Sequence, residues 1–365
     1  MVNYVDQIKD IEAELKKTKY NKKTQHHIGL TKAKLARLKE KQTTRSGGGG
    51  RKEGYDVRKT GDGTVIMIGY PSVGKSTLLN GLTDANSKIG YYAFTTLTVV
   101  PGLMKYKHAK IQILDVPGVV RGAASGVGRG KEVLSVMRTC DMVLLLIDVN
   151  YPEHYTVLLK EIRDTDLRMN QEKPDVKIRK TPKGGIQIGK TVKLPDLDDK
   201  TIVSILNEFK INNANVLIRD NINVDQFIDC VEGNKIYVPA ITVVNKIDTA
   251  SPERVKEVMK LVKADIAISA DKKKHLNQMQ ELIFQRLNLI RIYLKEPRKP
   301  ADMEEPLIMF KDCTIKDVCN KLHKDFVDKF KFSRIWGKSA KFDGQKILKL
   351  IHVLKDKDVL ELHMK

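Results

Sequence analysis

Five short stretches of this chain carry residue types whose order could do phosphate chemistry. The first reads Gly69-Tyr70-Pro71-Ser72-Val73-Gly74-Lys75-Ser76-Thr77, a glycine, four free positions and then Gly-Lys-Ser. An apolar run at 65–68 precedes it and a helical pattern over Lys75–Leu82 follows, which is the context the motif requires. Its glycines let successive backbone N–H groups turn inward around phosphate oxygens, at the positive end of the following helix. In such a loop Lys75 reaches the β- and γ-phosphates and the Ser76 hydroxyl binds Mg²⁺.

A phosphate loop does not choose a base. Asn245-Lys246-Ile247-Asp248 does, because a carboxylate accepts from both the N1–H and the exocyclic amine of guanine, a donor pair that adenine lacks. A buried carboxylate left unmatched discriminates strongly. In this reading Asn245 ties its loop to the phosphate loop and the Lys246 stem covers the base. Ser269-Ala270, after the apolar run 266–268, suits a backbone contact to the guanine carbonyl.

Between these lie Asp115-Val116-Pro117-Gly118 and Phe94-Thr95-Thr96-Leu97. Asp115 is expected to hold Mg²⁺ through water, and the Gly118 N–H to sense the γ-phosphate. The Thr96 hydroxyl is expected to close over Mg²⁺, with Thr95 as the alternative. Five elements in this order predict binding of GTP and its hydrolysis to GDP and phosphate, with Lys75, Thr96 and Gly118 at the reacting end. Many such enzymes place a glutamine after the Asp-x-x-Gly motif to orient the attacking water. Here Val119 and Val120 follow, and a valine cannot position water, so slow intrinsic turnover is expected. The glycine-rich segment 122–130 is expected to reorder with nucleotide state. Arg121 and Arg129 there would meet either phosphate charge or ribosomal RNA.

The elements that must position these groups follow from hydrophobic patterning. Apolar runs at 65–68, 111–114, 142–147, 241–244 and 266–268 alternate with helical patterns at Lys75–Leu82, 131–138, 252–262 and 276–289, which predicts βαβ units and a parallel sheet. This nucleotide domain spans 61–164 and 239–289. Residues 165–238 interrupt it with prolines and glycines, short strands at 176–178 and 186–188 and a helix at 201–209, and read as an inserted module. Before it, residues 1–60 read as a basic helical hairpin. Val5, Ile8, Ile11 and Leu15 mark one helix, Ile28, Leu30, Leu35 and Leu38 the other, and the glycines of 46–50 form a linker. The hairpin is expected to pack on the next domain and to touch RNA or a partner. Residues 290–365 form a small mixed module, with strands at 291–294, 307–310, 347–353 and 359–363 around a helix at 315–326.

Composition narrows the class. Sixty-six basic against 45 acidic side chains in 365 residues give a net charge of +21, which favours contact with a polyanion, nucleic acid first. The longest apolar run, 142–147, falls far short of the ~20 residues that cross a bilayer. No signal-like stretch opens the chain, and Cys140, Cys230, Cys313 and Cys319 make neither a disulfide framework nor a zinc spacing, which fits a reduced, cytoplasmic protein. His26 and His27 read as polar helix residues, Trp336 as a core or interface anchor, and Cys313 and Cys319 as packed thiols.

The chain resembles the Obg-like GTPases and, within them, the developmentally regulated GTP-binding family, its first eukaryotic branch above all. The resemblance rests on the phosphate loop with Thr77-Leu-Leu79 behind it, Phe94-Thr-Thr-Leu-Thr98, Asp115-Val-Pro-Gly118 and the glycine-rich 122–130. Val231-Glu-Gly-Asn-Lys-Ile-Tyr-Val-Pro239 and Phe332-Ser-Arg-Ile-Trp-Gly337 add to it, so that it covers essentially the whole chain. It implies an α/β fold: a P-loop GTPase domain split by an α+β module similar to ribosomal protein S5 domain 2, an N-terminal helical hairpin, and a C-terminal TGS domain of ubiquitin-like β-grasp type. It further implies a ribosome-associated switch that contacts RNA and is stabilised by zinc-finger regulatory proteins. Related GTPases without the glutamine use K⁺ beside the phosphates, held in part by a P-loop asparagine. Ser72 takes that place here, and Arg121 stands where the family has an acidic residue.

Overall fold

The computed structural model describes residues 4–18, 21, 24–45, 61–83, 100–115, 137, 139–164 and 166–364. They fall into two compact units: the N-terminal helices with Ile162–Tyr237, and the remainder. The expected linker at 46–50 lies outside the described residues, as does the expected helix at 131–138 apart from Met137.

Strand Gly63–Gly69 and strand Met142–Asp148 are buried along their whole length, the mark of parallel strands covered on both faces. They lie side by side in a six-stranded sheet. Ala240–Asn245 and Ile266–Ala267 continue it beyond Met142–Asp148, and Ala109–Asp115 and Val100–Tyr106 continue it on the other side. All neighbours are parallel except the last pair, which is antiparallel. Helix Lys75–Leu82 sets Leu78, Leu79 and Leu82 into a core with Val65, Met67, Ile111 and Ile113, and helix Leu276–Arg286 adds Met279 and Ile283. The parallel strands therefore end together at one rim of the sheet, where ligands of open α/β folds sit.

The C-terminal module of the same unit is a five-stranded sheet in the order Leu307–Phe310, Leu289–Lys295, Asp358–Met364, Phe330–Trp336, Gln345–Ile347. Helix Ile315–Leu322 opens on a reciprocal Thr314–Asp317 capping box and packs Ile315, Val318 and Cys319 against Ile292, Ile335 and Leu360. Ile308 and Leu289 join the core of the nucleotide domain, and Lys321 pairs with Asp62 at 2.9 Å. The strand expected at 347–353 is corrected: the ladder stops at Ile347, only an isolated bridge joins Val353 to Thr314, and Leu348 and Ile351 are exposed. That run lacks the strict alternation of a half-buried strand. Phe330–Trp336 was not anticipated as a strand either: Ser333-Arg334 and Ile335-Trp336 break its alternation, and its register shifts between Phe330 and Phe332.

In the other unit, strand Ala214–Ile218 lies between Val176–Lys180 and Ile186–Lys190, antiparallel to the first and parallel to the second. Helices Asp199–Glu208 and Val224–Glu232 cover one face, with Ile202, Ile205 and Phe227 packed on Ala214, Val216 and Ile218. Sequence patterning had found neither Ala214–Ile218 nor Val224–Glu232. The N-terminal helices Tyr4–Lys17 and Gln25–Arg45 belong to this unit. Ala33 enters its core, Arg37 pairs with Glu208 at 2.9 Å, and a Cβ on Gly29 would stand 2.7 Å from the Thr201 methyl. The hairpin thus packs on the inserted module. Where the insertion begins and ends, Leu167–Met169 pairs with Ile236–Val238. Arg168 grips Asp229 with two bonds of 2.6 and 2.7 Å, and Lys235 joins Asp166 at 2.5 Å and Glu232 at 2.6 Å.

Candidate functional site

The phosphate loop forms where strand Gly63–Gly69 runs out at the sheet rim. Ser72 and Gly74 turn the chain through left-handed conformations, with φ of 62° and 95°. Gly74 is required twice over, since a Cβ there would also lie 2.5 Å from Asn245 Nδ2. Helix Lys75–Leu82 begins at the next residue and directs its unpaired N–H groups toward the loop. Val73 is buried, while Pro71 and Thr77 are exposed.

Lys75 Nζ donates to the carbonyls of Gly69 at 3.0 Å and Tyr70 at 3.1 Å. Burial lowers its pKa, against the opposing pull of Asp115. At the end of strand Ala109–Asp115, Asp115 accepts from the Ser76 hydroxyl at 3.1 Å through Oδ2. It is only 7% exposed and its Oδ1 has no hydrogen-bond partner. Burial pushes its pKa up, with Lys75 and Ser76 holding it back. Among the described residues, then, a cation, a hydroxyl and an incompletely satisfied carboxylate meet beside one helix N-terminus.

The base-reading residues assemble at the next strand end. Asn245 is 1% exposed; its Nδ2 donates to the Val73 carbonyl at 2.8 Å, and its Oδ1 accepts from Ala270 N–H at 3.0 Å. One amide therefore joins three loops, the phosphate loop, its own and Ser269-Ala270. Lys246 takes a left-handed conformation, and its ammonium pairs with Asp148 at 2.7 Å. Sequence reasoning missed Asp148, whose only signal was its place at a strand end. Its Oδ1 accepts from Asn150 N–H at 2.9 Å.

Asp248 is exposed. It sits in the one-turn helix Ile247–Thr249, outside the sheet core. The Ser269 hydroxyl holds its carboxyl below the usual range, and Ser269 itself is buried and accepts from Lys272 N–H at 3.0 Å. Its selectivity must rest on held geometry and not on standing burial.

A stack of rings also went unforeseen. Tyr70 lies face to face with His154 at 3.8 Å between centroids, and Tyr151 stacks on His154 at 5.6 Å. His154 opens helix His154–Asp164 and so braces the start of the phosphate loop. Phe94, Thr95, Thr96, Val116, Pro117 and Gly118 lie outside the described residues, as do Val119, Arg121 and 122–130.

The remaining singled-out groups have structural partners. His26 Nδ1 meets Thr201 Oγ1 at 3.2 Å and His27 Nε2 meets Glu14 at 3.0 Å. Cys313 and Cys319 are buried free thiols, and burial raises Cys313 to about 11. Lys295 covers the Trp336 ring at 4.6 Å. No described helix is long and apolar enough to cross a membrane.

Three family descriptions match the chain: a 50S ribosome-binding GTPase domain over residues 64–180, the C-terminal region of that domain over 183–289, and a TGS domain over 290–364. An uncharacterised GTP-binding protein of Methanocaldococcus jannaschii is 51% identical over 99% of this chain and 93% of its own length. Developmentally-regulated GTP-binding protein 1 of Xenopus laevis is 42% identical over 97% of each chain, and Ribosome-interacting GTPase 1 of Saccharomyces cerevisiae 41% identical over 99% of each. With a phosphate loop, a guanine-type loop and a TGS module in one chain, this protein belongs to the developmentally regulated GTP-binding family of P-loop GTPases.

Proposed function

We propose that this GTPase hydrolyses GTP with Mg²⁺, slowly when alone, and that it acts as a switch on the ribosome. The observation that carries the reading is the single framework in which Asn245 joins the base-reading loops to a phosphate loop whose Ser76 already meets Asp115.

In this reading the N–H groups from Gly69 to Ser76, with Thr77 behind them, receive the phosphates. Lys75 exchanges two carbonyl partners for phosphate oxygens. The unpartnered Asp115 Oδ1 beside the Ser76 hydroxyl suits a divalent cation. Ser76 would hold Mg²⁺ directly, Asp115 through water, and Thr96 would complete the set. Held there, Mg²⁺ would supply neutralisation of the charge that develops on the phosphates. Asp248 accepts from the guanine edge, Lys246 covers the base, the Ser269-Ala270 loop supplies a backbone contact to the guanine carbonyl, and Gly118 N–H senses the γ-phosphate.

No side chain at Val119 can orient water, so turnover waits on a second group, K⁺ or a partner. The net charge of +21, the family description and the printed name of the yeast relative support a ribosomal partner. A zinc-finger regulatory protein and a cytoplasmic location follow from the resemblance. Val119 also favours a second reading, an RNA- or ribosome-binding scaffold whose turnover is incidental.

Sedimentation with purified ribosomes tests the switch. Greater retention with a non-hydrolysable GTP analogue than with GDP is expected; equal retention with both would leave the scaffold.

A further inference from the structure

Among the described residues, helices cover only one face of the inserted module's three-stranded sheet. The other face carries a groove of about 520 Å³ that lies within this unit. Alternation along the strands decides what lines it. Val176, Ile178, Val216 and Ile218 turn inward to the core, so Lys177, Arg179, Asn215 and Leu217 turn outward. The register sets Lys177 beside Leu217 and Gly189, and Arg179 beside Asn215 and Gln187, in two rows. Gly189 adds no side chain to the groove, and a Cβ there would make an ordinary contact with Leu217 at 3.4 Å.

The lining is cationic and chemically uncommitted. Lys177 and Arg179 are exposed and make no ion pair among the described residues, whereas Arg219 at the groove's end pairs with Asp175 at 3.3 Å. The side-chain amides of Gln187 and Asn215 are exposed and unbonded among the described residues. Lys177 and Arg179 stand two residues apart on one strand, ~6.6 Å, a separation close to that of successive phosphates on an RNA strand. No aromatic side chain lines the groove, so the stacking platform that grips unpaired bases is missing from it. Cations with neutral amides and no stacking surface suit a duplex bound through phosphates and 2′-hydroxyls. An acidic peptide adding to the sheet would use a strand edge, whereas these cations lie on the face.

We propose that this open sheet face docks double-helical RNA, with Lys177, Arg179 and Arg219 on its phosphates and Gln187 and Asn215 on its 2′-hydroxyls. The site is separate from the nucleotide loop and does not depend on GTP turnover or on the ribosomal reading.

Anisotropy titrations of the full chain against a labelled RNA hairpin of ~16 base pairs, at several salt concentrations, test it. Lys177→Ala/Arg179→Ala should weaken binding about tenfold or more and lower the salt slope by about two, one for each phosphate contact removed. Lys256→Ala/Lys260→Ala, which removes equal charge from exposed positions of helix Pro252–Leu261, should lose less than about threefold. Gly189→Phe fills the groove without altering charge and should weaken binding at an unchanged slope. All variants alter exposed side chains and should keep wild-type GTP hydrolysis, so a failure here is distinct from a failure of the GTPase reading. Equal losses in the two double variants would overturn the proposal. Tighter binding of an unpaired RNA of the same length, or of polyglutamate, through the same residues would overturn it too and assign the groove to that ligand.

Discussion

Asn245 holds the site together at the residue scale, through one amide with two buried partners. Asn245→Ala leaves the Val73 carbonyl and the Ala270 N–H unpaired, at a cost of about 2 kcal/mol or more. Urea denaturation should register that loss even without nucleotide; unchanged stability would mean the loops hold one another without it. Asp248→Asn should cut GTP affinity by ~100-fold or more and shift preference toward xanthine nucleotides. Competition among GTP, XTP and ATP reads this directly, and undiminished guanine selectivity would remove Asp248 from base recognition. Asp115 makes a prediction with a sign. Its pKa is raised in the folded chain, so the folded state binds that proton more tightly than the unfolded one. Stability from this group is therefore fullest at low pH and is lost as pH rises through the raised value. Asp115→Asn should unfold at a higher temperature than wild type at pH 7, an advantage that fades toward pH 4, while metal-dependent GTP turnover disappears. A lower Tm at pH 7 would contradict the origin assigned to the shift.

Elements differed in how far the sequence disclosed them. Strands Gly63–Gly69, Ala109–Asp115, Met142–Asp148 and Ala240–Asn245 were legible because buried parallel strands are written as unbroken apolar runs. The site residues at their ends, Ser76, Asp115 and Asn245, came with them. Ala214–Ile218 was not legible, since Asn215 breaks the run and its pairing is settled by two distant strands. Asp148 and His154 carry no local signature: one acts by reaching Lys246 and the other by stacking on Tyr70, contacts that exist only once the chain is folded. The seat of the N-terminal hairpin was hidden for the same reason. Gly29 marks it, because a larger side chain would collide with Thr201 on helix Asp199–Glu208. Gly29→Val should destabilise this unit by about 2 kcal/mol and speed hydrogen exchange in helix Gln25–Arg45 while sparing the six-stranded sheet. Unaltered exchange would show that the helix does not rely on that contact.

The whole molecule combines a preformed nucleotide framework with basic modules, joined in a chain whose usual water-orienting position is Val119. Its central claim is a competent GTPase whose rate is set from outside. Single-turnover GTP hydrolysis, in Na⁺ and in K⁺ buffer, with and without ribosomes, tests that claim most directly. The account predicts slow turnover in Na⁺ alone, a rise with K⁺ or with ribosomes, and no turnover for Lys75→Ala in any condition. Tight GTP binding with no rise under any of them, or normal turnover by Lys75→Ala, would contradict it.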